Sequence, residues 1–449
     1  MGQMALPCQM QLVMESLVPS NGILRPRIQK REESGLKEDV SEDVKGEECS
    51  GSQLMKVLDD HPVYLETFMN TLSLILKGDG PLPFNYRRYL AIMASARHQS
   101  LVLVRSQMAA FSSVGGNQEW LCGLHAAPGK LCSISELNRI LAHRPWILSS
   151  QHIQNLMKGS WSLSEVVHAI VIMLHFHALS SLVHGTGIEQ HLISPSSADP
   201  NPLPPPPIGE EMKAAETDTS LKNQVEYLMD AMKRLQKEAA VAGEASPEER
   251  ALIFESLEAG SAELLVREQL SWTKPMEDVD RFLDAPDFSY VDFSHRNEPQ
   301  LYPTFRVQDY SWEEQGFSLM SRLYSEKASG LMDLKLKTAY DLTYYTMGNK
   351  KNVDTTMFRR AVWHYIHCLY GIRHDDYDYH EVNQLLERSL KSFIKMACCF
   401  PERLTSHDLT QVMPGFLYSE KIHVMLMVME ARIEAGLLYA LRAIMQYMT

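Results

Sequence analysis

Apolar residues near the C-terminus, Ile422, Met425, Leu426, Met429, Ile433, Leu437, Leu441, Ile444 and Met448, fall at three- and four-residue steps. The spacing predicts one long amphipathic helix with a wide apolar face. Helix signals recur upstream. Ser162-Leu163-Ser164-Glu165 has the form of a capping box ahead of Val166, Val167, Ile170, Val171 and Leu174. Ser133-Ile134-Ser135-Glu136 has the same form ahead of Leu137, Ile140 and Leu141, with Pro145 ending the segment. Residues Asn223 to Ala240 predict a further helix with Val225, Leu228, Met229, Met232 and Leu235 on one side. Period-two runs are short. The expected fold class is all-α.

Two breaks divide the 449 residues. Glu32, Glu33, Glu38, Asp39, Glu42, Asp43, Glu47 and Glu48 crowd a stretch with too few apolar residues to offset chain entropy. The run Leu203 to Pro207 holds four consecutive prolines and reads as polyproline or loop. The expected organisation is a disordered acidic tail over 1–54 and a helical domain over 55–192. A disordered and helical linker over 193–299 then leads to a second helical domain over 300–449. A third stretch, from about Thr273 to Tyr302, is rich in Asp, Pro and aromatics and reads as a long loop packed on a domain.

Composition narrows the function. A net charge of −13 argues against a nucleic-acid binder. Seven cysteines without a CxxC pair do not make a disulfide framework, which points to a reducing compartment. No signal peptide is apparent, and the most apolar stretch, Val166 to Val183, is interrupted by His168, His175 and His177. The expectation is a cytoplasmic protein, with the nucleus as an alternative, and no membrane insertion.

Chemistry-bearing motifs are sparse. The three histidines lack the i, i+4 spacing of a metal pair, so no metal or other cofactor is expected. GxGxxG, Walker, HExxH and GxSxG patterns are absent. Cys122, Cys132 and Cys368 have no visible activating partner; His367 adjoins Cys368, but helical neighbours diverge by about 100°. The run Arg373-His374-Asp375-Asp376-Tyr377-Asp378-Tyr379-His380 suits either a solvated loop or a contact patch. Arg388, Lys391 and Lys395 form a basic stripe at helical spacing, which reads as solvent-facing.

Several runs resemble the sestrins, stress-responsive regulators of the mTOR pathway. They are Ala91 to Gln99 (AIMASARHQ), Leu141 to Trp146 (LAHRPW), Tyr370 to Tyr379 (YGIRHDDYDY), Glu381 to Arg388 (EVNQLLER) and Leu438 to Ile444 (LYALRAI). The resemblance implies two similar helical halves, each like a bacterial alkylhydroperoxidase subunit. It also implies a peroxidase-like Cys, with a Tyr two residues on and a His seven residues on. Here Ser100, Val102 and Gln107 stand at those places. A serine hydroxyl cannot cycle through a sulfenic acid, so no peroxidase activity is expected.

For the C-terminal half the resemblance implies binding of free L-leucine. Arg359 matches the carboxylate-binding Arg and Glu420 the ammonium-binding Glu. Thr343, Thr346 and Thr355 match the threonines of a lid, and Tyr344 with His61 matches a latch between the halves. Met413 stands where the family's pocket floor has a Trp, and Phe358 where it has a Leu, so a weaker or altered affinity is expected. The implied partner is the GATOR complex upstream of mTOR complex 1, with Asp375, Asp376 and Ser162 at the contact positions. Ser162 fits a helix N-cap equally well. The leading expectation is a leucine-responsive, non-enzymatic regulator that binds GATOR and restrains mTOR complex 1 until leucine releases it. A leucine-independent GATOR scaffold is the alternative, and an antioxidant peroxide reductase the remote one.

Overall fold

The structure, a computed structural model, describes residues 53–189, 218–241, 246–264 and 277–449. The acidic run and the proline run lie outside these residues. Leu54, assigned to the acidic tail, is instead buried with Leu58 in the core.

The protein is all-α. Ten of the helices among the described residues supply most of the core and position the site. They are α1 (Pro62–Lys77), α2 (Phe84–Arg97), α3 (Leu101–Ser113), α4 (Leu163–Gly185), α5 (Asp218–Val241), α6 (Pro247–Ala262), α7 (Glu326–Asp341), α8 (Thr356–Leu369), α9 (Arg388–Cys399) and α10 (Tyr418–Met448). Two small ladders interrupt them. β1 (Phe305–Arg306) pairs in parallel with β4 (Ile372–Arg373), and β2 (Thr346–Met347) pairs antiparallel with β3 (Lys350–Lys351).

Local chemistry explains several helix starts. Pro62 opens α1, where its missing N–H costs nothing, and Gly78 closes it by donating to the Leu74 carbonyl. Ser162 caps α4: its hydroxyl accepts from Glu165 N–H at 3.2 Å while Glu165 accepts from Ser162 N–H at 2.8 Å. The box predicted at Ser133 does not form. A short helix over Gly129–Ser133 runs directly into Ser135–His143, and the Ser135 hydroxyl bonds back to the Cys132 carbonyl.

Helix α10 departs from the amphipathic reading. From Lys421 to Ile444 it is buried on nearly every side, because α4, α7 and α8 all pack on it. Its polar residues are satisfied internally. Arg432 donates to the His177 carbonyl and the Ser181 hydroxyl of α4, and Glu430 accepts from Lys335 of α7. Helix α4 is long and apolar enough to cross a membrane by length and composition, but that stretch is wholly enclosed by the fold. At the α4–α10 crossing, a Cβ on Gly436 would overlap the Leu174 side chain, so glycine permits the close approach.

The two predicted domains share one hydrophobic core. Glu430 and Lys335, both fully buried, also meet Tyr64 of α1 and His175 of α4, which joins the halves through charge. The 193–299 region does more than connect. Helix α5 buries Val225, Leu228, Met232 and Leu235, as its spacing predicted, and Phe254 of α6 packs on Tyr379. The stretch 277–302 straps both halves: Asp284 pairs with Arg97 and Arg139, and the Tyr290 hydroxyl donates to the Leu369 carbonyl. The expected basic stripe is not one solvent face. Lys395 is buried, paired with Asp292 at 2.8 Å and donating to the Ser261 carbonyl.

Candidate functional site

Arg359 lies in the first turn of α8 and is buried. Its Nε donates to the Thr355 hydroxyl at 3.2 Å, one Nη to the Thr356 hydroxyl at 3.1 Å and the other to the Tyr340 carbonyl. Three of its five N–H groups are thereby used, leaving one on each terminal nitrogen, the number a carboxylate takes in a two-pronged contact. Burial lowers its pKa, against the opposing pull of Asp341 and Tyr340.

Glu420 sits in the first turn of α10, where its carboxylate accepts from the Leu417 N–H at 2.9 Å. It also accepts from the Thr346 hydroxyl at 2.9 Å and the Gly348 N–H at 2.9 Å. One carboxylate therefore caps a helix and staples the β2–β3 hairpin, whose threonines match the implied lid. Gly348 lies at φ +59° against the Gly415 carbonyl, a position a side chain could not share. Thr343 and Thr355 face each other at 3.2 Å between their hydroxyl oxygens.

The latch joins three segments. His61 Nδ1 is 2.8 Å from the Tyr344 hydroxyl oxygen, and that hydroxyl lies 2.9 Å from the Asp60 carbonyl. His61 Nε2 is 3.0 Å from the Ser419 carbonyl, one residue before Glu420. Burial lowers the His61 pKa, opposed by the Ser419 hydrogen bond and Asp60.

These residues enclose one cavity. Thr343, Tyr344, Thr346, Thr355, Phe358, Arg359 and Glu420 line it, with Leu342, Met347, Phe416, His423, Val424 and Met427 as the further walls. Its space is about 420 Å³, open water at the mouth included. The arrangement presents a cation, an anion and hydroxyls on an apolar bed, which are the elements a small zwitterion requires. The His423 Nε2 meets the Ala339 carbonyl at 2.8 Å, and burial holds its pKa at about 4.

Met413 is a correction. It does not line this cavity but a neighbouring cleft open to solvent, with Tyr227, Leu228, Leu385, Leu390 and others. The backbone at Met413 is left-handed, at φ +50°, and Phe358 and Phe416 stand between it and the Arg359 side. His423, Val424 and Met427 were missed by sequence reading. Their spacing of three, four and seven residues from Glu420 places them on its face of α10, a signal that was available. Phe416 and the Tyr340 carbonyl had no such signal.

The positions implied for a partner lie elsewhere. Ser162 is exposed and serves as the α4 cap. Asp375 accepts from Arg306 at 2.7 Å and from Arg373 at 2.6 Å. Burial pushes its pKa up, but these two hydrogen bonds hold it below the usual value. Asp376, its neighbour, is exposed.

At the peroxidase-like positions, the Ser100 hydroxyl donates to Glu189 at 2.9 Å. The same carboxylate accepts from Leu101 N–H at 2.6 Å and from Val102 N–H at 3.2 Å, closing the N-terminus of α3. Gln107 is buried and accepts from Arg88 at 2.9 Å. Burial raises the pKa of Cys132, Cys368, Cys398 and Cys399, which disfavours their thiolates.

Fold and site together define an all-α protein with a cavity charged at both ends under a latched hairpin. Comparison with known proteins gives the lineage. Residues 16–448 match the family described as PA26 p53-induced protein (sestrin). The chain is 45% identical to human Sestrin-2 over 409 residues, covering 88% of this chain and 84% of that protein. It is 42% identical to the Drosophila melanogaster Sestrin homolog over 464 residues (88% and 92%), and 43% identical to mouse Sestrin-3 over 421 residues (88% and 85%). The chain belongs to the sestrin family.

Proposed function

We propose that this sestrin is a cytoplasmic, leucine-responsive regulator without enzymatic activity. Free leucine binds with its carboxylate on Arg359 and its ammonium toward Glu420. The ligand-free protein holds the GATOR complex and restrains mTOR complex 1, and leucine weakens that contact. The single observation that carries the reading is the convergence of Arg359, Glu420 and three threonines on one cavity beneath the lid that His61 and Tyr344 latch. Such a switch requires leucine to prefer one conformation, and by linkage the partner must weaken leucine in turn. Glu420 supplies a route, since the carboxylate that takes the ammonium is the one that holds Thr346 and Gly348 of the hairpin, so ligand and closed hairpin favour each other. The absence of peroxidase chemistry is part of the proposal, resting on Ser100 and on the Glu189 carboxylate set against it.

Titration calorimetry with L-leucine on the wild type and on Glu420→Ala tests the reading. Saturable heat is expected for the wild type and none for the variant; equal weak heats in both remove the sensor. A second reading, a GATOR scaffold indifferent to leucine, draws on a specific observation. Protein donors alone already satisfy the Glu420 carboxylate and hold the lid shut. Capture of GATOR that ignores added leucine would favour it.

A further inference from the structure

The residues that charge the Arg359–Glu420 cavity recur in the N-terminal half at matching places. Arg87 lies in the first turn of α2 as Arg359 does in α8, each followed by a second arginine. Glu165 accepts from the Ser162 N–H at the start of α4, as Glu420 accepts from the Leu417 N–H at the start of α10. Three residues on from each glutamate stands a buried histidine, His168 or His423. Each Nε2 meets a carbonyl near the end of the helix before the arginine at 2.8 Å, Ile75 of α1 or Ala339 of α7.

The halves differ in what fills the space. Residues 342–355 join α7 to α8 and form the hairpin, whereas the shorter stretch 78–83 joins α1 to α2 and turns onto the arginine. Arg87 donates to the carbonyls of Gly78 at 2.6 Å, Leu82 at 2.8 Å and Gly80 at 3.3 Å. A Cβ on Gly80 would lie 2.9 Å from the His168 ring and 3.2 Å from the Arg87 guanidinium. The buried His168 Nδ1 beside it has no hydrogen-bond partner among the described residues, so the loop covers this polar group without pairing it. At the other end, Glu165 accepts from Lys130 Nζ at 2.7 Å, and that ammonium lies 5.0 Å from the centre of the Trp161 ring. A carboxylate and an aromatic face together suit a cation. Both side chains keep some exposure, 25% for Lys130 and 18% for Glu165, so the ammonium is within reach of solvent.

We infer that the N-terminal half carries a second version of the amino-acid site that the chain fills itself, with Glu165 and the Trp161 face forming a primary-ammonium subsite that Lys130 occupies. Carbonyls of the 78–83 loop take the place of a carboxylate on Arg87. The inference rests on the amino-acid reading above for the roles of arginine and glutamate, and adds a second site with its own ligand class. The arginine end is built into the backbone, but the ammonium end is emptied by one substitution. Each chain then takes up a single leucine, and Lys130 is the residue that closes Glu165 to other primary ammonium ions.

The test follows the Trp161 indole N–H, which donates to the Lys130 carbonyl at 3.0 Å, by nuclear magnetic resonance of the full chain. Loss of the signal in Trp161→Phe identifies it, and n-propylammonium is the probe. In Lys130→Ala the signal should shift saturably with the probe, and in the wild type and in Lys130→Ala with Glu165→Gln it should not. No saturable shift in folded Lys130→Ala overturns the subsite. So does a shift that survives Glu165→Gln, or one matched by tetramethylammonium, which has no N–H to donate. Should Lys130→Ala prove unfolded by circular dichroism, Lys130→Ser carries the same expectation. Leucine calorimetry on the wild type and Lys130→Ala keeps the two readings apart. A single equivalent in both is expected, and a second equivalent in the wild type overturns the self-filling. No leucine heat in either protein removes the amino-acid reading, while the n-propylammonium result still decides the subsite.

Discussion

At the residue scale, Glu420 and His61 each do two jobs at once. Glu420 closes the first turn of α10 and holds the lid by Thr346 and Gly348, so the residue that would meet an ammonium already governs the backbone around it. His61 holds the Tyr344 hydroxyl on one nitrogen and the Ser419 carbonyl on the other. Because burial depresses its pKa, the closed latch takes up a proton less readily than an open one. The stability it contributes is complete above about pH 6.5, the ordinary imidazole value, and is lost as the pH falls through that value toward the lowered one. Its ring neighbour His423 titrates lower, at about 4. Limited proteolysis of the lid should therefore accelerate between pH 7.5 and 5.5 in the wild type, and His61→Gln should flatten that dependence. A lid equally resistant at both values in the wild type would refute the coupling.

At the element scale, the β2–β3 hairpin reaches Glu420 because it turns at a residue without a side chain. Gly348 packs on the Gly415 carbonyl with positive φ, so alanine there meets both a steric overlap and an unfavourable backbone region. Gly348→Ala should hold the hairpin away from Glu420 and weaken leucine binding by at least about tenfold, with the melting temperature little changed because the core is untouched. Unaltered binding would show that the hairpin does not need this contact. The long helices behave differently. α4 and α10 are enclosed on nearly every side over most of their length, so their identity as helices rests on tertiary contacts more than on an amphipathic face.

At the scale of the whole molecule, charge as well as apolar packing joins the halves. Lys335 and Glu430 are fully buried 2.9 Å apart, with Tyr64 and His175 completing the group. Removing one member leaves an uncompensated buried charge. Lys335→Met should lower stability in urea unfolding by about 3–5 kcal/mol. Lys335→Met with Glu430→Leu should lose less than the single change, although Tyr64 and His175 each forfeit a partner. A double variant less stable than the single would sink this account. Since Tyr64 lies one turn beyond His61 and Lys335 lies on the helix leading into the lid, the same group stiffens the base on which the latch rests.

Sequence alone determined the helical class, the Ser162 cap and the apolar face of α5, because spacing and local hydrogen bonding are short-range properties; the residues that line the cavity were legible only through the family resemblance. It misread elements whose outcome depended on distant partners. Ser133 did not cap, since a preceding helix left no free turn; Lys395 went inside, since Asp292 from the strap neutralises it. Tertiary structure alone decided that α10 is buried all round, that the halves share a core, and that Met413 lies behind a phenylalanine wall. Those outcomes turn on which surfaces meet across hundreds of residues. A periodicity shows where apolar atoms stand along one helix, but not how many neighbours arrive to cover the remaining sides.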